Sequence, residues 1–521
     1  MRKTTSSRHQ GALSRRRALQ LAGLSGVAAA LPASRSSAAT GGGTLRVGME
    51  ASGVSEPIDP VGGYSTQTYT HALFDRLTWI RPDQSVVPEL ATSWEHSADF
   101  REWTFSLRPD VQFHDGRPFT ARDVVRTFQR ILNPKLGSQA YRILALSLDP
   151  NGIWATDDHT VKFTCKAPFW NLPAIASNTH ASIVPEDSPL DSYIAHPVGT
   201  GPFALKDFHP GNHLFAIRNE HYWRTGYPKL DAIRFFNVGD VTQRIAGMIS
   251  GQFDLILSLT PVVAQSIKDD RRFAIATVKS GNCLNLNMRV DRKPFDDNRV
   301  RQAVKLACNR GELVKQIWLG DALEGSDQPI SPVNRIWGGI APPKYDIARA
   351  KQLLAAAGFA NGVDVTLVTS TIAPGSVEQA EAYQQQAAPA GIRVKVQQVP
   401  ATGYYYNVDA GKFDFWVESW AMRPDDSLLF LEYAPRGAEL APTKWYPKEF
   451  QTLFETARAA PDDKSRLAGF TALEKFVAEQ GPSVSPVFIN VLDAHTKRLL
   501  HYQPNPMFYY RTYYQLELAK G

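Results

Sequence analysis

DVTLVTSTIAPGSVEQAEAYQQQAAPAGIRVKVQQVPATGYYYNVDAGKFDFWV, residues 364–417, decides the fold class. Residues 364–369 (DVTLVT), 392–399 (IRVKVQQV) and 413–417 (FDFWV) read as strands, and 377–388 between the first two reads as a helix. Strands alternating with helices predict an α/β domain with a largely parallel sheet. Toward the N-terminus, Asp346 begins a further helix that Gly358 closes as C-terminal cap. Asp297 starts another, with Val300, Ala303, Val304 and Ala307 on one face and an interruption at Arg310-Gly311. Earlier still, Thr120 caps a helix, Asp123 completes a capping box, and Val124, Val125, Phe128, Ile131 and Leu132 form its apolar stripe. Residues 103–107 (WTFSL) and 161–164 (VKFT) read as strands on either side of it, and 44–49 (TLRVGM) as the first strand of the folded part.

The 521-residue chain carries 57 Lys and Arg against 51 Asp and Glu. Residues 1–39 hold Arg2, Lys3, Arg8, Arg15, Arg16, Arg17 and Arg35, no acidic residue, and an apolar run from Leu19 to Leu31. This is the pattern of a signal peptide. Ser14-Arg15-Arg16-Arg17-Ala18-Leu19 resembles the twin-arginine export motif, although Ala18 stands where that pattern prefers Phe; the ordinary secretory route is the alternative. The run is about thirteen residues, short of the roughly twenty that span a bilayer. Ser37-Ala38-Ala39 offers a cleavage point before Thr40, and the absence of a Cys after the run leaves nothing to carry a lipid. Without the leader the 57 basic residues fall by seven to 50, against 51 acidic, so the basic excess belongs to the leader. Neither nucleic acid nor an anionic membrane surface is expected as a partner.

About 480 remaining residues exceed what one core supports, so two or three domains are expected. Cys165, Cys283 and Cys308 allow either one disulfide or three buried thiols. His114-Asp115-Gly116 lacks the further ligands that a metal site needs. The chain has no HExxH, CxxC pair, GxSxG or phosphate-cradling GxxxxGK[ST]. No cofactor, no metal site and no catalytic residue is therefore expected.

Residues 90–132 (LATSWEHSADFREWTFSLRPDVQFHDGRPFTARDVVRTFQRIL) resemble the signature of the family-5 extracellular solute-binding proteins of ABC importers, the dipeptide, oligopeptide and nickel binders. The resemblance continues in HPVGTGPFALKDFHPG (196–211), RNEHYW (218–223), PFDDNRVRQAVKLACNR (294–310), YDIARAKQLLAAAGF (345–359) and GKFDFWVESW (411–420), and so covers essentially the whole chain after the leader. It implies a two-lobed periplasmic binding protein of type II, cluster C. Lobe I would comprise 44–84, 197–281 and 490–521, an extra inserted domain 85–196, and lobe II 282–489. Two or three strands would cross between the lobes as a hinge, and ligand would stabilise the closed form by touching both. The partners implied are a small peptide-like or acidic solute and an ABC permease with its ATPase, served by a monomer in the periplasm. A sensory or chaperone-like module using the same fold is the alternative from another class.

In the resembling peptide binders, a Trp after the lobe-II strand is followed three residues later by an Asp that pairs with the peptide ammonium. Here Trp420 is kept and the Asp position is Arg423. A guanidinium repels an ammonium and grips a carboxylate, phosphate or sugar acid in a bidentate way, which puts a plain dipeptide in doubt. Opine, sugar-derived and chelated-metal ligands are then alternatives. Two readings of the residues stay open beside this one: Asp425 or Asp426 takes the anchor role, or Arg423 pairs internally with one of them. Tyr64, Gln67 and Thr68 in the first long loop, and Tyr404, Tyr405 and Tyr406 before the strand to Trp420, are further cleft candidates. Asn282, Asn285 and Asn287 at the crossover are expected to satisfy backbone rather than ligand. Residues 400–430 contain no His or Cys, which argues against direct nickel binding.

Overall fold

A computed structural model of the chain describes residues 42–50, 58–62, 67–433, 442–507 and 510–520. The leader and Tyr64 lie outside the described residues. No helix among the described residues is long and apolar enough to cross a membrane.

The deciding stretch folds as an α/β unit. Strand Val363–Thr369 pairs in parallel with Ile392–Gln398 on one side and with Phe415–Trp420 on the other. Helix Ser376–Ala387 connects the first two, burying Ala380, Tyr383 and Ala387, and the Tyr383 hydroxyl donates to the Val304 carbonyl at 3.0 Å. The third strand begins at Phe415, two residues later than expected, because Phe413 packs instead on Tyr404 with ring centroids 5.6 Å apart. The reading of a largely parallel sheet holds for these three strands and not for the whole. They form one edge of a mixed twelve-stranded sheet that continues through Phe273–Met288, Val487–Thr496, Leu255–Ile256, Thr44–Met49, Ala232–Asn237, His213–Arg218 and Phe203–His209. Antiparallel pairing enters where Phe273–Met288 lies between Phe415–Trp420 and Val487–Thr496.

Two long strands therefore join the halves of the sheet. The 16-residue strand Phe273–Met288 pairs along Val487–Thr496, but its register shifts between Val278 and Asn282. An extra residue or two in one strand bends it and strengthens its twist. At this bulge the Ser280 hydroxyl donates to the Pro506 carbonyl. A Cβ on Gly281 would sit 2.7 Å from Ser331 Oγ and 3.1 Å from Met422 Cγ, so close approach dictates glycine here.

A separate antiparallel sheet runs Ala91–His96, Glu102–Leu107, Thr160–Cys165, Leu148–Asp157. Helix Ala121–Ile131 packs on it, with Phe128 edge-on to Phe163 at 4.9 Å. Its first turn is held as read, the Thr120 N–H donating to the Asp123 carboxylate at 2.7 Å. Among the polar residues on the buried face, Arg130 is fully buried and paired with Asp59, also fully buried. Asp59 further accepts the N–H groups of Val61 (2.9 Å), Gly62 (3.1 Å) and Ile194 (3.0 Å), so one carboxylate gathers three chain segments around this helix.

The Asp297 and Asp346 caps form as expected, each accepting from a first-turn N–H at 2.8 Å. Gly358 closes the second helix at φ +92°. The interruption expected at Arg310-Gly311 lies earlier, after Ala307. Asn309 caps a new helix, Arg310–Gln316, by accepting from the Glu312 N–H at 3.2 Å, so Arg310 and Gly311 are helical. The three cysteines are free and buried, which excludes the disulfide allowed above. Burial pushes the Cys165 and Cys308 thiols up to about 12.

Helices Lys448–Arg458 and Asp463–Gln480 pack on the loop that follows the four-stranded sheet. Arg458 lies over Phe169 at 5.3 Å and Arg466 over Trp170 at 4.4 Å. On the second of these helices, burial pushes the Glu474 carboxyl up to about 8 against the opposing hydrogen bonds from the Gly338 N–H at 3.0 and 3.2 Å. An acid whose folded pKa is raised contributes stability that is complete below its unfolded pKa and lost as pH rises through the folded value. Glu474→Gln, which keeps an acceptor for Gly338, is expected to raise stability by on the order of 1 kcal/mol at pH 9 and to leave it unchanged at pH 4. Thermal melts of both proteins across that range check the sign.

Candidate ligand-binding site

Strand Phe415–Trp420 delivers the chain to the segment 421–427, and the crossing strand holds that segment in place. Asn282 Oδ1 accepts the Met422 N–H at 2.8 Å, and the Gly281 N–H donates to Met422 Sδ at 3.3 Å. Arg423, half-buried, follows directly. Its Nη2 donates to Gln139 Oε1 at 3.5 Å. Burial, with the Arg423 charge beside it, holds the His180 imidazole down at about 4. Burial also pushes the Tyr510 hydroxyl up to about 12 against the opposing charges of Arg76 and Arg423. Arg423 thus meets Gln139 and acts through its charge on His180 and Tyr510, residues 87 to 284 positions away in the chain.

Neither aspartate next in sequence neutralises Arg423. Asp425, in the left-handed region at φ +45°, is gripped by Arg335 at 2.9 and 3.0 Å. Asp426 pairs with Arg458 at 3.2 Å and accepts from Asn171 Nδ2 at 2.7 Å. The internal pairing of Arg423 with Asp425 or Asp426 therefore does not form. Burial raises both carboxyls, Asp425 to about 6, so Asp425 is a sequestered group facing its own arginine.

The other expected residues divide. Trp420 is half-buried in register with Cys283, and its indole Nε1 is buried without a hydrogen-bond partner among the described residues. The Tyr405 hydroxyl reaches the Ser419 carbonyl at 3.4 Å, which keeps it beside this strand end. Tyr404 is a correction: it is fully buried and its hydroxyl donates to the Val417 carbonyl at 2.7 Å, so it is core. The reason is that residues 404–409 form a helix whose first residue turns inward against Val368 and Trp416, while Tyr406 stays exposed. Gln67 is the first residue of helix Gln67–Leu73, and Thr68 is buried there. Asn282 satisfies backbone as expected. Asn285 and Asn287 instead donate to the buried carboxylates Glu432 and Glu418, and burial together with Glu418 raises Glu432 to about 8.

Sequence reasoning missed Gln139, His180, Tyr510 and the aromatic group beside them. His71 lies 5.3 Å from Trp79 and 5.4 Å from Tyr510 between ring centroids. No local pattern marks these residues, because the sheet topology alone gathers them. Two concavities lie elsewhere, one of about 420 Å³ beside Arg46 and Arg498 and one of about 520 Å³ beside Arg122 and Trp154.

Two halves of a sheet joined by long crossing strands, with polar side chains converging where they meet, define a two-lobed binding protein of the periplasmic class. The model of the bacterial extracellular solute-binding proteins, family 5, matches residues 85–439, and the chain belongs to that family. Among curated relatives, di/tripeptide-binding protein 2 of Pseudomonas aeruginosa is 27% identical over 505 residues, covering 89% of this chain and 93% of its own. The glutathione-binding protein GsiB of Pectobacterium atrosepticum is 29% identical over 404 residues, covering 75% and 76%. Among solved structures, AgaA of A. tumefaciens R10 with agropinic acid has a TM-score of 0.80 at 25% identity, covering 92% of this chain and 99% of that one. DppA of Helicobacter pylori with the peptide STSA has the same TM-score and coverage at 23% identity, a likeness of fold.

Proposed function

We propose that this protein captures a small carboxylate-bearing solute, an opine-type acid or a peptide-like acid without a free ammonium at the Arg423 end, and delivers it to an ABC permease and its ATPase. The observation that supports this is the place of Arg423: it follows Met422, which Gly281 and Asn282 hold at the register break, and its charge acts on Tyr510 of the C-terminal segment. An anion held there touches both lobes in the closed form, which is how a ligand favours closure. Arg423 grips the acid, Trp420 and Tyr405 flank it, and Tyr64 and Gln67 are further ligand contacts. Asp425 positions the turn through Arg335. The same reading divides the chain into lobe I (44–84, 197–281, 490–521), the extra domain (85–196) and lobe II (282–489), which the bulge at 279–281 supports. Residues 1–39 act as a cleaved twin-arginine leader that sends an unlipidated monomer to the periplasm.

The experiment is calorimetry with a panel of dipeptides, N-acetylated dipeptides, glutathione and opine-type acids, each acid compared with its methyl ester or amide, alongside mass spectrometry of any solute that co-purifies from the native host. The expected result is that the free acids bind at least tenfold more tightly than the esters, and that N-acetylation costs nothing. Equal affinity for acid and ester, or conversion of the bound solute to product, overturns the proposal.

A further inference from the structure

We propose that Asp207, His209 and His213 form a surface site for one divalent cation of the zinc and nickel type, separate from the solute site. Strands Phe203–His209 and His213–Arg218 make the hairpin at the outer edge of the twelve-stranded sheet. The three-residue turn Pro210-Gly211-Asn212, with Gly211 at φ +72°, sets His209 directly opposite His213 in the ladder. Side chains two residues apart on a strand share a face, so Asp207 joins the two imidazoles.

The distances suit coordination. His213 Nε2 lies 2.9 Å from one Asp207 oxygen and His209 Nε2 lies 3.4 Å from the other. All three ligand atoms fall within 4.8 Å of one another, and the ring centroids are 4.9 Å apart. Ligands about 2.0 Å from a tetrahedral ion are about 3.3 Å from each other, close to the two His–Asp separations, so an ion enters with side-chain adjustment of about an ångström. Two imidazoles with one carboxylate select zinc, nickel or copper over magnesium and calcium. His213 also has a group to orient it: Nδ1 meets Asn212 Oδ1 at 2.9 Å, and when an ion displaces the proton that Nε2 shares with Asp207, Nδ1–H donates to Asn212 while the Nε2 lone pair meets the ion. Asp207 and His209 are exposed and His213 half-buried, which leaves room for water or one donor from a second molecule in the remaining position. The sequence reading passed over this site because Asp-x-His-x3-His matches no familiar ligand spacing; it becomes a cluster only when the hairpin closes.

The test is isothermal titration of the tag-free, chelator-stripped exported chain with zinc chloride at pH 7.5, with magnesium chloride as control. One equivalent of zinc is expected to bind and magnesium to give no heat. His209→Asn and His213→Asn should each weaken zinc at least tenfold, and Asn212→Ala severalfold, with unchanged circular dichroism. Zinc should also be lost as pH falls to 5.5, because protons compete for both imidazoles. Absence of zinc binding, or wild-type zinc affinity in either histidine variant, overturns the site.

Discussion

Arg423→Ala is expected to weaken the tightest-binding acid of the calorimetric panel at least tenfold, which is about 1.4 kcal/mol or more. Arg423→Glu should cost more than a hundredfold, about 2.7 kcal/mol, because it sets a like charge against the ligand carboxylate. Arg423→Lys should fall between wild type and Ala, since an ammonium keeps the charge but loses the two-pronged donor geometry. The decisive control is the methyl ester of the same ligand. If Arg423 meets the carboxylate, the ester binds wild type and Arg423→Ala nearly alike; an equal loss for acid and ester instead marks Arg423 as structural. Asp425 and Asp426 are bound to Arg335 and Arg458, so the Ala variant leaves neither of them without its cation.

Arg130→Ala should be the most damaging single change away from the solute site. Both Arg130 and Asp59 are fully buried, and truncating one member of such a pair strands the other charge, at a cost of about 3–5 kcal/mol. The three N–H groups that Asp59 also accepts keep the loss at the lower end of that range. Urea denaturation followed by tryptophan fluorescence measures it. The paired variant Asp59→Asn with Arg130→Met removes both charges and should recover at least half of the loss. Failure of the pair to recover more than either single change would show that the cost comes from packing of the Arg130 stem.

The sequence made local structure legible and left side-chain traffic between distant segments obscure. Thr120, Asp297 and Asp346 were readable as caps because a cap is a matter of three or four neighbouring residues. The parallel strands at 363–398 were readable for the same reason, since alternation and helix signals are short-range. Tyr404 misled because three consecutive tyrosines look alike in sequence, and only the helix over 404–409 decides which of them turns inward. Gln139, His180 and Tyr510 could not be read at all, being brought to Arg423 by the crossing strands and the second sheet. The antiparallel centre of the large sheet was likewise hidden: strands 273–288 and 487–496 carry no local mark of being long connectors.

On the proposed function, the bulge at 279–281 makes affinity a property of the connector as much as of the pocket. Gly281 and Asn282 hold Met422, so on the proposed function a bend at this connector carries with it the residue that precedes Arg423. Apparent affinity scales with the fraction of molecules already in the binding-competent form. Selection therefore has a second dial for tuning uptake. Changes at Ser280, Gly281, Ser331 or Pro506, none of which needs to touch the solute, can set how much of it is required to close the protein without altering which solute is chosen.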